Sequence, residues 1–314
     1  MNLDAASSKR LSLLPQRLTP FLCVLVALAL LPIETSLADD PKLVVCSTTQ
    51  VADFARQLTG GRWKVHSILA PGQDPHLYET KPGDAALVAS ADLCFDNGWH
   101  LEGKDWMRRL ATNAGKSVVS CTEGLQPLEL KEENELVKDP HAWFTPKNAA
   151  HYVRNITTAL VKADPEHKAE YEARSRLYLA QLRTLNTWIL AELSAIPAQK
   201  RVLVTSHDAF NYFCREYGFT AQTPAGWSTG DEIGGGVTEE RRQQTINSIR
   251  KTGVRAIFVE TSVNEKMIRT IAAQAGVKIG GALYSDSMGE PGTAGETYLG
   301  MMRENVLTIV EALK

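Results

Sequence analysis

One tripeptide occurs twice in this chain with a chemically useful residue at its end: Asp74-Pro75-His76 and Asp139-Pro140-His141. A third histidine, His207, follows His141 at nearly the interval that separates the first two, and Asp286 comes at a similar interval beyond it. The chain of 314 residues has only seven histidines, so the spacing raises the question of whether these four side chains meet. Proline fixes its own φ and drives the preceding aspartate towards extended backbone, which leaves each histidine few directions in which to point. Such stiffness lowers the ordering cost for a side chain that must hold a metal. Three neutral imidazoles and one carboxylate suit a four- to five-coordinate divalent transition ion. Taken singly each signal is weak, because a turn aspartate or a loop histidine usually has a structural role. The argument rests on where the four fall relative to the strands.

Short apolar runs alternate with helical patterns along the chain. KLVVCST, KVHSILA, DLCFDN and SVVSC read as buried strands in the first half, and RVLVTS, FTAQTP, AIFVET and KIGGALY in the second. Between them, VADFARQLTG, PGDAALVASA, LEGKDWMRRLATNAG and PKNAAHYVRNITTALVKA read as helices, followed by DAFNYFCREYG, TEERRQQTINSIRKTG and NEKMIRTIAAQAG. This alternation predicts an α/β fold with parallel sheets covered by helices on both faces. The stretch 164–197 breaks the pattern. Asp164 is placed to cap it, Pro165 suits its first turn, and Tyr178, Leu182, Leu185, Ile189, Leu193 and Ile196 fall on one helical stripe. A helix of that length would run roughly 45 Å, longer than a crossover needs, and is expected to connect two lobes. The expected organisation is a signal segment at 1–38, an N-terminal lobe at 39–163, the linking helix at 164–197 and a C-terminal lobe at 198–314. On this map His76, His141, His207 and Asp286 each lie at or beyond a strand's carboxyl end, the edge at which open α/β sheets bind ligands.

These segments resemble a known family. GQDPHLYETKPGD, ADLCFDNGWHLEG, DPHAWFTPKNA, LVTSHDAFNYFCREYG, AIFVETSV and LYSDSMGEPGTAGETYLGMM occur in the order found in the cluster A-I solute-binding proteins, which feed zinc or manganese to ABC importers. The resemblance spans essentially the whole chain after the signal segment. It implies two α/β lobes joined by one rigid helix, with ligand positions at His76, His141, His207 and Asp286. It also implies an ABC permease and its ATPase as partners, and a monomer is expected. Manganese-type members resemble this chain with glutamate in the third position, whereas His207 supplies a third nitrogen and favours Zn2+, with Mn2+ as the alternative. Two features point the other way. The segment before His141, GLQPLELKEENELVK, lacks the long His- and acid-rich loop of many zinc members, and the Asp286 segment resembles members that accept either metal.

Other residues have plainer readings. His66 lies in a predicted strand, His151 and His167 lie on polar helix faces, and His100 follows a strand and is a candidate for the rim of the cleft. Glu79 and Glu260 are candidate acceptors for an imidazole N–H. The glycine-rich WSTGDEIGGGV at 227–237 lacks both GxGxxG and GKS/T, so it reads as a loop near the cleft or a permease contact and not as a phosphate cradle.

The chain is 44% hydrophobic and 22% charged, enough to build a substantial core. Lys9, Arg10 and Arg17 precede an uncharged run from Phe21 to Leu31 and the small-residue site Ser36-Leu37-Ala38, the order of a secretory signal peptide. The run is shorter than the about 20 apolar residues that a bilayer span requires. Cys23 would allow a lipid anchor, but the large Leu22 before it favours a soluble exported protein with no membrane insertion after cleavage, in the periplasm or outside the cell. Removing 1–38 moves the net charge from −2 to −3, which leaves no footprint for nucleic acid or an anionic membrane. Cys46, Cys94, Cys121 and Cys214 remain, with three pairings possible, although the first three lie in or beside apolar runs and suit buried thiols equally. Two rival functions fit this sequence less well. A secreted zinc enzyme would need an open coordination position, but Asp286 fills it and HExxH is absent, and a metal-binding adhesin or structural module would not require four donors at strand ends.

Overall fold

In a computed structural model that describes residues 41–132, 135–223 and 239–314, strand β1 (Leu43–Cys46) sits inside a parallel four-stranded sheet. The sheet order is β2 (Lys64–Ser67), β1, β3 (Leu93–Asp96) and β4 (Val118–Ser120), with Val45 beside His66 on one flank and Cys94 on the other. Val44, Val45 and Cys46 are all fully buried, which explains why this strand reads as a continuous apolar run instead of an alternating one. Helices α1 (Thr49–Thr59), α2 (Pro82–Ser90), α3 (Trp106–Asn113) and α4 (Pro146–Ala163) cover this sheet. Thr48 and Thr145 cap α1 and α4 by accepting from Val51 N–H and Asn148 N–H, and Pro146 occupies the first turn of α4.

The second lobe is built on two parallel pairs. β7 (Val202–Val204) pairs with β8 (Thr220–Gln222), and β9 (Ala256–Glu260) pairs with β10 (Lys278–Leu283), with β7 packed against β9. Helices α6 (Asn211–Tyr217), α7 (Glu239–Thr252), α8 (Lys266–Ala275) and α9 (Tyr298–Leu313) accompany these strands. The parallel α/β architecture in two lobes read from the alternation is therefore present.

Three local features differ from the pattern read from sequence. An antiparallel hairpin, β5 (Glu129–Glu132) with β6 (Glu135–Lys138), lies just ahead of the second DPH, in a charged segment with no apolar run to announce it. Helix α3 begins only at Trp106, because the preceding residues turn through left-handed conformations. Asp164 closes α4, and Pro165–His167 form one turn of 3-10 helix before the long helix α5 (Lys168–Leu193). The Asp164 carboxylate accepts from the Tyr171 hydroxyl and His167 Nδ1 instead of capping α5. At 26 residues α5 is about 39 Å long.

The expected stripe on α5 is buried: Tyr178, Leu182, Leu185, Ile189 and Leu193 all face inward, and Ile196 continues it past the helix end. The helix packs against α1 and α4 on one side and α9 on the other. Ring pairs tie the lobes together, Phe54 to Tyr298 at 4.8 Å and Phe144 to Phe210 at 4.2 Å, so a single apolar cluster runs from β1 to α9. Cys46, Cys94, Cys121 and Cys214 are unpaired thiols, all buried. No helix among the described residues is long and apolar enough to cross a membrane. The signal segment expected at 1–38 and the glycine-rich 227–237 lie outside the described residues.

Leu182 is 1% exposed in the middle of the α5 stripe. Leu182→Ala should destabilise the protein by about 2–5 kcal/mol, the usual range for a truncated core leucine. Denaturant unfolding followed by far-ultraviolet circular dichroism measures this, and a loss under about 1 kcal/mol would contradict the packing described.

Candidate metal centre

Three of the four candidate residues stand three positions past a strand: His141 after β6, His207 after β7 and Asp286 after β10. His76 lies further along, in the turn between β2 and α2. All four side chains are buried, between 0% and 4% exposed, and one donor atom from each lies within 4.8 Å of every other. His76 Nε2 is 3.3 Å from His141 Nε2, His141 Nε2 is 3.4 Å from Asp286 Oδ1, and His207 Nε2 is 3.2 Å from Asp286 Oδ2. Four donors bound at about 2.0–2.1 Å on a tetrahedron stand about 3.3 Å apart; the three separations above are of that size, two of them reaching different oxygens of Asp286, and the whole set lies within 4.8 Å.

Local bonding explains how each donor is aimed. In both DPH copies the aspartate accepts the backbone N–H of the histidine two residues on, Asp74 Oδ1 at 2.7 Å and Asp139 Oδ1 at 3.0 Å. This is an Asx turn, a habit of aspartate in tight loops, and it adds to the stiffness of the proline. Asp139 Oδ1 also lies 2.8 Å from His141 Nδ1, which directs Nε2 to the centre. In the other lobe Glu260 does the same for His207: Oε1 accepts its N–H at 2.9 Å, while Oε2 lies 2.6 Å from Nδ1 as an ion pair whose direction falls outside a hydrogen bond. Ser262 Oγ donates to Asp286 Oδ2 at 3.2 Å, leaving Oδ1 without a hydrogen bond.

The loop carrying Asp286 is fastened to the first lobe. Gln50 Nε2 donates to Ser285 O at 3.1 Å, Met288 N to Thr49 Oγ1 at 2.9 Å, and Gly72 N to Ser287 Oγ at 2.7 Å. The carboxylate is thus held against both histidines of the opposite lobe by the backbone around it.

Burial alone would keep every imidazole here neutral, and for His76 it wins, pushing the group down to about 3. For His141 the carboxylates of Asp139 and Asp286 outweigh burial and hold it up at about 10. Glu260 and Asp286 raise His207 well above its ordinary value in the same way. Burial would raise Asp286, but His207 and His141 outweigh it and keep this carboxyl well below the usual range. The neighbouring carboxylates therefore favour the charged form of His141 and His207, while burial favours the neutral form of His76, and a cation that takes His141 or His207 as a ligand must displace a proton.

The remaining candidates stand apart from this cluster. Glu260 takes the role considered for it, whereas Glu79 is exposed. His100 is largely exposed and pairs with Asp105 at 3.0 Å. His66 is exposed on β2, His151 meets Glu123 O at 2.6 Å and His167 meets Asp164. Asp139 was missed as a functional residue although the repeated DPH displayed it; Ser262, a lone hydroxyl in AIFVETSV, carried no comparable signal.

Residues 44–312 match the family model described as zinc-uptake complex component A, periplasmic. The chain belongs to this family. Among curated relatives it is similar to the manganese-binding lipoprotein MntA of Bacillus subtilis (strain 168), 38% identical over 285 residues that cover 88% of this chain and 91% of that protein. It is also 33% identical to the manganese ABC transporter substrate-binding lipoprotein PsaA of Streptococcus pneumoniae, over 89% of this chain and 91% of that one. Among solved structures, the periplasmic zinc-binding protein TroA from Treponema pallidum superposes with a TM-score of 0.81 at 33% identity, covering 87% of this chain and 99% of TroA. The Mn-bound periplasmic metal-binding protein from Candidatus Liberibacter asiaticus does so at 0.77 with 27% identity, covering 87% and 100%. A member of this binding-component family is not an enzyme, which sets aside the secreted zinc enzyme.

Titration of the metal-free protein by histidine NMR should find His141 still protonated at pH 8, His207 titrating above the ordinary histidine range and His76 neutral at pH 5. Asp139→Asn should bring the titration of His141 down from about 10, since it removes a charge that holds the proton.

Proposed function

We propose that this protein captures one divalent transition metal from outside the cytoplasmic membrane and presents it to an ABC permease driven by an ATPase. The observation that carries the reading is the convergence of His76, His141, His207 and Asp286, buried together within 4.8 Å, in a member of a metal-uptake family. We assign these four as the metal ligands. The lobes are 39–163 and 198–314, joined by 164–197, and two donors come from each. The permease would receive a cargo released from between the lobes.

Zinc is the cargo we favour, because three imidazoles with one carboxylate form a softer shell than manganese usually takes. The names of the relatives divide: MntA and PsaA are named for manganese and TroA for zinc. Affinity alone is a blunt criterion, since zinc outbinds manganese in most nitrogen and oxygen sites. The metal carried by protein isolated from its own envelope is the sharper one. The lipoprotein names of MntA and PsaA also support a membrane tether, for which Cys23 is the available thiol, as an alternative to release of a cleaved soluble form.

Single replacement of each ligand by alanine should weaken zinc binding by about 100-fold or more, read by competition with a chromophoric chelator; unchanged affinity in all four would refute the site. An unperturbed histidine shell would lose affinity only as pH drops below about 6.5. With His141 held up at about 10 and His207 raised as well, metal must displace protons throughout the neutral range, so affinity should climb steadily from pH 6 to pH 9. Calorimetry in buffers of different ionisation enthalpy should record proton release at pH 7.5, and none released would contradict the charge state described.

A further inference from the structure

Among the described residues, the three non-glycine residues with positive φ all lie in one loop between β3 and α3: Trp99 (55°), His100 (62°) and Asp105 (55°). Gly98 (92°) and Gly103 (52°) adopt the same hand in the same stretch. L-residues enter this region at a cost, and a run of them persists only where the surroundings over-determine it.

The surroundings here are the two DPH turns. At the start of the loop Asn97 Nδ2 donates to Pro140 O at 3.0 Å, and at its end Trp106 Nε1 donates to Pro75 O at 2.9 Å. These carbonyls belong to the residues immediately before His141 and His76. Between them Gly103 lies so close to the first turn that a Cβ would stand 2.3 Å from the His76 carbonyl oxygen. Asn97 is itself fixed, accepting from the Tyr152 hydroxyl at 2.6 Å and giving its backbone N–H to buried Glu102 at 2.7 Å.

The loop matters most for His76. Asp139 and Glu260 steer the rings of His141 and His207, but His76 Nδ1 is buried with no hydrogen-bond partner. Its aim depends on its backbone, held by the Asp74 turn, the Trp106 indole and the close face of Gly103.

We propose that residues 97–106 act as a strained bracket that sets the separation of His76 from His141, with Trp106 and Asn97 as its positioning residues. The proposal rests on the reading of these histidines as metal ligands. A residue that merely supports the fold would weaken binding whether or not its histidine is present. A positioning residue loses its effect when the group it positions is gone.

The test is a pair of double-mutant cycles on the full chain, with zinc alone as the probe and a chromophoric chelator as competitor. Trp106→Phe keeps a ring in the core but removes the indole donor, and should weaken zinc binding about tenfold, the lower end for a residue that orients a ligand. In a His76→Ala background the same change should have no further effect. Asn97→Ala should behave likewise with His141→Ala, and its cycle decides the matter if Trp106→Phe does not fold. Losses that add fully in both backgrounds, or no loss from either positioning variant, would overturn the bracket and leave the metal site standing. No loss from His76→Ala and none from His141→Ala would overturn the bracket and remove both histidines from the proposed ligand set.

Discussion

Donor atoms that are to share one ion must first be buried beside one another without it. Imidazole nitrogens 3.3 Å apart and a buried carboxylate beside them would rearrange if their backbones allowed. Much of the surrounding structure resists that relaxation. Asp74 and Asp139 pin the two turns, Glu260 and Ser262 pin the second pair, and the Ser285–Met288 loop is bonded to α1 and to Gly72 across the lobes. Internal charge balance lowers the cost, because Asp286 lies between His141 and His207 and offsets both. Preorganisation of this kind leaves an arriving ion only its own dehydration and the displaced protons to overcome.

The same constraint accounts for the shape of the core. Two-lobed proteins with small polar interfaces are expected to hinge freely. Here the apolar cluster continues from β1 through α5 to α9, and aromatic pairs bridge the lobes close behind the centre. The clustered side chains can keep their geometry only if the segments that carry them are restrained, and α5 supplies a common wall against which α1, α4 and α9 pack.

Much of this was legible in the sequence, and the reasons differ by element. Buried parallel strands such as Val44–Cys46 announce themselves as apolar runs, and the α5 stripe keeps helical spacing from Tyr178 to Ile196. The donors were legible because proline and aspartate act locally, within the tripeptide that carries each histidine. Interactions between distant segments were hidden. Nothing near Asp164 shows that its carboxylate will serve Tyr171 and leave α5 uncapped, and the β5–β6 hairpin is too polar to be told from a loop. The left-handed turns at Trp99, His100 and Asp105 follow from contacts with segments far away in sequence, so residue types alone gave no sign of them.

The four buried thiols have a consequence for cargo. Thiolate is a softer ligand than imidazole and, once ionised, a strong competitor for zinc. Burial pushes Cys94 up to about 11 and Cys214 up to about 12, and raises Cys46 and Cys121 as well, so the folded protein keeps its sulfur protonated and silent. If the three clustered histidines ligate as proposed, a thiophilic cargo would be directed to nitrogen and oxygen because these four buried thiols are denied the charge that binding requires.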